Sequence, residues 1–453
     1  MNSVKDVESI IKSDFQIIEI EDILKKYDCF LVGGCIRDYF LSKITPDRDI
    51  VTLGSSYDLA CDIAKKTGGT FVELDSENEI YRVVLQDKIT FFDVSRALDD
   101  DILKDAKRRD FTLNSIFYNF KEQKIFDPCN GVDALFKNLL RTYNLKNFDD
   151  DPLRMLRVFR FIAQYDFNLD YEILNYIEKK GKNIDKCSKE RINQELIKLF
   201  GGKYAPEALL LADDCKFLSE IFPFVDEIKK IPPNTHHHLD LFHHCIETMR
   251  TVRTNSPMLK LAAFCHDIGK PKTHTIEPSG RHRFIGHDKV GGELIKPILA
   301  KLKFSNKQIE YVSLMVANHI YPSALMSSED VQEKAMIRFI RKLNPHIEDI
   351  IELARADRLC ARGPMVSDEM VEENLKNLEK LYNFYLKIKP RLEALPKLLD
   401  GREIMVILNI KPSPILGKII NALEEEQIEG RIKNKEEAIN FVNEWFERNC
   451  KDM

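Results

Sequence analysis

Between Cys29 and Asp127 the chain alternates short apolar, β-branched runs with polar turn formers. Cys29–Val32, Asp47–Leu53, Thr70–Leu74, Tyr81–Gln86 and Thr90–Val94 read as strands. Tyr57–Lys66 has its apolar residues at helical spacing between the second and third of them. After Gly131 the strand pattern stops. Asp151–Gln164, Asp170–Lys180 and Lys189–Phe200 read as helices, as does most of the chain beyond them. Breaks fall at Lys230-Ile-Pro-Pro-Asn-Thr235 and at Glu277-Pro-Ser-Gly280. The pattern predicts an α/β head over 1–145, a helical neck over 146–233, a His-rich helical domain over 234–365 and a helical tail over 366–453.

Length supports this division, because 453 residues exceed what one core organises. With 44% hydrophobic and 31% charged residues the composition is that of a globular protein. The net charge of −5 gives no global sign of polyanion binding, so a nucleic-acid surface has to be a local basic patch. Ten cysteines occur without a CxxC pair, several in apolar runs, as at Cys29, Cys265 and Cys360. That usage predicts reduced thiols and a cytoplasmic protein. Met1–Asp14 lacks a signal-peptide core and no apolar run is long enough to cross a bilayer, so no membrane partner is expected.

The chemistry begins at Leu31-Val-Gly-Gly-Cys-Ile-Arg-Asp38 and Asp47-Arg-Asp-Ile-Val51. On a strand, Asp47 and Asp49 project to one face and Arg48 to the other. Two adjacent anions are costly without a cation between them, and Mg²⁺ takes oxygen ligands that it shares with phosphates. Asp93 is a lone carboxylate in an apolar strand and is a candidate third member. Arg108-Arg-Asp-Phe-Thr-Leu-Asn-Ser115 places cations, an acid and an amide at the expected start of a helix. Arginine forks suit triphosphate oxygens, and the side chains of Asp110 and Asn114 suit ribose hydroxyls. Taken singly, each segment is better explained by a plain Gly-Gly turn, a solvated DxD face or a helix cap with surface ion pairs; their joint order reverses that.

In their order these segments resemble the tRNA nucleotidyltransferase/poly(A) polymerase family, a branch of the polymerase-β superfamily. The resemblance implies an α+β fold: a polymerase-β-like head with a mixed five-stranded sheet and helices, then all-α neck, HD and tail domains. It implies that Asp47, Asp49 and Asp93 are the catalytic carboxylates, with Mg²⁺ held by Asp47 and Asp49. Gly33, Gly34, Arg37, Arg108, Arg109, Asp110 and Asn114 would contact the nucleotide. The expected activity is addition of CCA, or of CC alone, to the 3′ end of tRNA from CTP and ATP.

The neck starts Asp149-Asp-Asp-Pro-Leu-Arg-Met-Leu-Arg-Val-Phe-Arg160. Asp151, Arg154, Arg157 and Arg160 share one side of a helix. In the resemblance this is the family's Glu-Asp-x-x-Arg motif, which reads the base, with Asp150 in place of Glu. A carboxylate beside a guanidinium offers an acceptor and a donor in the order that cytosine and adenine match and uracil and guanine do not. Asp151 followed by Pro152 also has the signature of a helix cap. Between Asp93 and Arg108 only Val94–Lys107 intervenes, whereas many CCA-adding relatives carry a longer mobile loop there; its brevity brings CC-only addition into view.

Histidines crowd the stretch from His236 to His274. His266-Asp-Ile-Gly-Lys270 resembles the HD phosphohydrolase superfamily. The resemblance implies divalent-metal ligands at His244, His266, Asp267 and Asp357, with His287 and His319 as the extra pair of two-metal members. The donors suit Mn, Ni, Co, Fe or Zn. His236, His237 and His238 are expected in a loop, and His243 and His274 on the surface. Lys137, Arg141, Lys146 and Arg191, interspersed with Phe136, Tyr143 and Phe148, are candidate tRNA contacts. Ile410–Gly417 reads as a turn joining helices. Competing readings are a poly(A) polymerase, a metal-dependent phosphohydrolase whose head only holds RNA, and a non-enzymatic tRNA-binding protein.

Overall fold

The computed structural model describes residues 1–328, 331–393 and 396–450. It divides once, into compact units Met1–Pro223 and Phe224–Met453. The first contains a seven-stranded sheet followed by packed helices from Leu153 onward. Its strands are β1 Cys29–Val32, β2 Asp47–Thr52, β3 Thr70–Asp75, β4 Ile80–Val84, β5 Phe91–Arg96, β6 Phe117–Asn119 and β7 Lys124–Phe126, in the order β3-β4-β5-β2-β1-β6-β7. Only β2 and β5 run parallel; the other pairs are antiparallel. The predicted five strands are all present, and β6 and β7 extend the sheet beyond them. Three residues each is too short for an alternating pattern to declare itself. Phe30, Val32, Val51, Ala97, Ala106 and Phe117 form an apolar cluster against one face.

Arg108 and its neighbours do not begin a helix; they end one. Asp101 caps Ile102–Arg108, accepting from the backbone of Leu103 and Lys104, and Arg109 is already extended. Asp110 instead accepts from Phe111 N and the Asn114 side chain, and only a single 3-10 turn, Thr112–Asn114, follows it. After Gly131 small pairings also occur where no strand is expected, Leu139–Leu140 with Asn168–Leu169 and His274–Ile276 with His282–Phe284.

The middle residue of the DxD strand anchors it from behind. Arg48 is buried and donates through Nε and Nη2 to Asp14 Oδ2 at 2.9 and 2.7 Å, and through Nη1 to the Pro46 carbonyl at 3.1 Å. Tyr39 donates to the same Asp14 oxygen at 2.7 Å, while Oδ1 caps the helix Phe15–Glu19. Helix start, strand and the helix Gly34–Phe40 are thus tied by one buried ion pair.

In the second unit Leu241–Thr251, Pro257–Cys265, His287–Lys301, Asn306–Asn318 and Ile347–Cys360 are packed helices. The tail has its own apolar cluster, including Leu399, Ile404, Ile419, Leu423 and Val442. The turn foreseen over Ile410–Gly417 is shorter, since Pro414 already opens a helix. Among the described residues no helix is long and apolar enough to cross a membrane.

Asp14→Ala leaves Arg48 as an uncompensated buried cation and should cost about 3–5 kcal/mol. Denaturant unfolding checks this, and Asp14→Ala/Arg48→Met should recover much of the loss.

Candidate active site and histidine–aspartate cluster

Strand register brings the head carboxylates together. Asp49 and Asp93 are direct partners across the parallel β2–β5 pair, and Asp47 lies two residues before Asp49 on the same face. Burial first, then the neighbouring carboxylates, pushes Asp49 up to about 6, although Arg109 and Arg37 pull the other way. Asp47 is raised for the same reasons, burial and Asp93. Three converging carboxyl groups, with Asp47 and Asp49 both reluctant to ionise, are a donor set suited to a hard divalent cation. Gly33 leans directly on them: its φ is +83°, and a Cβ there would stand 2.8 Å from Asp49 Oδ2. Only glycine meets both conditions.

A cation already faces this group. Arg82, the partner of Asp93 on β4, donates Nε and Nη2 to its two oxygens at 2.7 Å each and lies 3.8 Å over the Phe91 ring. Sequence reading misses it, because a cross-strand partner has no fixed sequence offset.

Arg37, Arg108 and Arg109 are each held by an acid. Fully buried Asp105 accepts from Arg108 Nε at 2.8 Å and Arg109 Nε at 3.0 Å. Its i−3 and i−4 spacing to the two arginines is a signal that the sequence does carry. Arg37 donates to Asn114 Oδ1 at 2.9 Å and to Asp38, and lies over the rings of Phe161 and Tyr165. Asp110 accepts from Asn114 at 2.9 Å and pairs with Arg157 at 2.8 Å. Both Asp110 and Asn114 are buried. They meet each other, Arg37 and Arg157.

In the neck, Leu153–Tyr165 is the helix. Asp151 Oδ1 caps it at Leu153 N (3.3 Å), and Oδ2 accepts from Arg191 at 2.8 Å. Arg154 donates to the Asn147 carbonyl at 2.9 Å, not to Asp150. Asn147 in turn bonds the carbonyls of Lys107 and Arg109, coupling neck to head. Arg160 pairs with Glu195 at 2.9 Å. Of the expected RNA contacts, Phe148 is in the core, while Lys137 and Arg141 pair with Asp133 and Asp170. Phe136 and Tyr143 are exposed.

In the second unit all six predicted ligands converge. Asp267 Oδ1 lies 3.1 Å from His287 Nε2 and 3.6 Å from His319 Nε2. Its Oδ2 lies 3.2 Å from His266 Nε2, 3.6 Å from His244 Nε2 and 2.6 Å from Lys270 Nζ. Asp357 Oδ1 is 3.0 Å from His244 Nε2. His266, His287 and His319 direct Nδ1 at the carbonyls of Ala263, Phe284 and Val316, 2.7–2.8 Å away. With Nδ1–H committed there, the Nε2 lone pairs face inward. Two pairs of such nitrogens nearly touch, His244/His266 at 3.2 Å and His287/His319 at 3.3 Å. Acceptors in that arrangement fit a cation between them, and the imidazole and carboxylate donors suit a divalent transition metal. His237 lies in the expected loop but its ring meets that of His244 at 4.3 Å, and His274 bonds His282 at 2.9 Å. His243 is exposed and bonds Asp240, which caps its helix.

Three family models match in succession: the poly A polymerase head domain at residues 29–141, the RNA and SrmB-binding site of polymerase A at 166–229, and tRNA nucleotidyltransferase domain 2 at 287–442. The chain carries domains of the tRNA nucleotidyltransferase/poly(A) polymerase family. It is 29% identical to the A-adding tRNA nucleotidyltransferase of Deinococcus radiodurans, over 92% of this chain and 95% of that one. It is also 29% identical to the CC-adding tRNA nucleotidyltransferase of Thermus thermophilus, over 92% and 94%. The fold matches the CCA-adding enzyme of Bacillus stearothermophilus in complex with CTP, with a TM-score of 0.62, 20% identity and coverage of 96% and 100%. Within this family frame the head match spans Asp47, Asp49, Asp93 and Arg108–Asn114. His287, His319 and Asp357 fall in the third matched segment, while His244, His266 and Asp267 lie outside all three.

A carboxyl whose folded-state pKa is raised loses its stabilising contribution as pH climbs from about 4 through about 6. Asp49→Asn escapes that loss. At pH 8 the metal-free variant should melt several degrees above the parent, about 3 kcal/mol. The difference should disappear near pH 4, and scanning calorimetry across pH reads it.

Proposed function

We propose that the protein rebuilds the 3′-terminal CCA of tRNA from CTP and ATP without a nucleic-acid template. The observation that carries this is the convergence of Asp47, Asp49 and Asp93 on one sheet face beside tethered arginines. Magnesium bound at Asp47 and Asp49 would supply activation of the RNA 3′-hydroxyl and neutralisation of the departing pyrophosphate. Gly33 and Gly34 admit the triphosphate close to the backbone, and Arg37, Arg108 and Arg109 bind its oxygens. Asp110 and Asn114 hold Arg157 and Arg37 in position for the nucleotide. Asp151 accepts from the amino group of cytosine or adenine while Arg154 donates to the adjacent ring nitrogen. Uracil and guanine leave both polar contacts unmade, which is how a site rejects an analogue strongly. Arg160 supports this wall through Glu195. The nine described cysteines are free, in keeping with a cytoplasmic enzyme.

A second product, ending at CC, is favoured by one observation. Val94–Lys107 is short and largely folded: Arg96 pairs with Asp100 and Glu79, and a capped helix begins at Ile102. No long loop is present there to re-aim the base reader between C and A.

We also infer a divalent transition-metal centre of HD type at His244, His266, Asp267, His287, His319 and Asp357, acting as a phosphoester hydrolase on tRNA ends. A cavity of about 540 Å³ beside it is lined by His237, His238, Arg281 and His282, among others. That lining suits a phosphate-bearing group. Burial and the adjacent Lys270 push His237 down to about 2, so it is neutral there.

Incubation of tRNA lacking its terminus with labelled CTP and ATP should extend it by three nucleotides, or by two if the product ends at CC, and Asp49→Ala should add none. Unlimited growth with ATP alone would instead indicate a poly(A) polymerase. Metal analysis of the purified protein should find transition metal that His266→Ala loses, together with hydrolysis of 2′,3′-cyclic phosphate. Hydrolysis that persists in His266→Ala would place that activity elsewhere.

A further inference from the structure

We propose that Arg191 determines base selectivity by fixing the Asp151 carboxylate; this rests on the reading of Asp151 and Arg154 as the base template. By sequence alone Arg191 is one of several surface cations suited to RNA. It stands in the first turn of Lys189–Gly201, a helix packed along Leu153–Tyr165 and tied to it by the Arg160–Glu195 pair. From there its Nη2 reaches Asp151 Oδ2 at 2.8 Å.

The partition of the carboxylate is what matters. Oδ1 is taken by the helix cap at Leu153 N. With Oδ1 turned to the helix start, Oδ2 is the oxygen assigned to the nucleotide's amino group in this reading, and Arg191 sits on that same oxygen. An ionised carboxylate oxygen accepts two hydrogen bonds. One goes to Arg191, which leaves one lone pair in a direction set by two fixed bonds. Cytosine and adenine fill it with an N–H. Uracil and guanine present a carbonyl oxygen there, and the repulsion rejects them only if the carboxylate is unable to turn away.

Stability does not account for the pair. The side chains of Arg191 and Asp151 are 53% and 22% exposed, and exposed ion pairs contribute about 0–1 kcal/mol. Arg191 is thus a positioning residue: it acts on the base through Asp151.

The test measures kcat and KM for CTP and UTP on tRNA lacking its terminus, with wild type, Arg191→Ala, Arg191→Lys, Asp151→Ala and Arg191→Ala/Asp151→Ala. Arg191→Ala should lower the CTP:UTP ratio of kcat/KM at least about tenfold, within about 1 °C of the parental melting temperature. Arg191→Lys should restore part of the ratio, and the double variant should discriminate no worse than Asp151→Ala. An unchanged ratio in Arg191→Ala, with only a raised KM for tRNA, would make Arg191 an RNA contact and overturn the proposal. If Asp151→Ala itself keeps the wild-type ratio, the base-template reading fails first.

Discussion

Three carboxylates brought to one face of a sheet repel one another, and the head is organised around that repulsion. Parallel pairing of β2 with β5 sets Asp49 opposite Asp93, so backbone hydrogen bonds hold together what electrostatics would separate. The strain appears at Asp49, whose proton is held more tightly than in water. Arg82 relieves part of it on Asp93, and Arg48 anchors the strand from the opposite face without neutralising the site. Alternation along β2 makes this possible: one residue carries the chemistry outward and the next fastens it inward.

The same logic extends to the arginines. A long cationic side chain is a poor positioning device unless something fixes its direction, since it carries large rotamer entropy. Here Asp105 orients Arg108 and Arg109, Asp38 and Asn114 orient Arg37, Asp110 orients Arg157, and Glu195 orients Arg160. Asn147 then joins the neck to carbonyls beside Arg109. Triphosphate oxygens meeting this surface would find donors whose ordering is already complete, which is how preorganisation contributes to affinity and rate.

Much of this was legible in the chain. The DxD alternation and the Gly-Gly turn are local spacings, and the structure sets Asp47 and Asp49 on one face of β2 with Gly33 against Asp49. What the sequence concealed has a common cause: it depends on partners at variable separation. Arg82 meets Asp93 across strands, Arg191 meets Asp151 across helices, and β6 is recognisable only by its place beside β1. The reversed reading of Arg108–Ser115 has a different origin. Asp110 has the sequence look of a cap, but its carboxylate is engaged by Phe111 N, Asn114 and Arg157, partners that only the packed structure supplies.

The two polar centres of the chain solve one electrostatic problem in opposite ways. In the head the anions lie at a half-open face, so an arginine of the same sheet can serve as counter-ion and the group stays accessible to large substrates. In the histidine cluster His244, His266, Asp267 and His319 are fully buried, while His287 and Asp357 keep partial exposure. His266 and His319 stand at the C-terminal ends of their helices, and each uses Nδ1 on a carbonyl three residues back, in the last turn. No tethered arginine enters among the described residues; Lys270 is the cation that reaches Asp267. Paired nitrogen lone pairs at 3.2–3.3 Å leave room for a proton or an ion between them and nothing larger. The head therefore leaves its anions within reach of a large substrate, whereas the histidine cluster turns most of its donors inward, away from solvent.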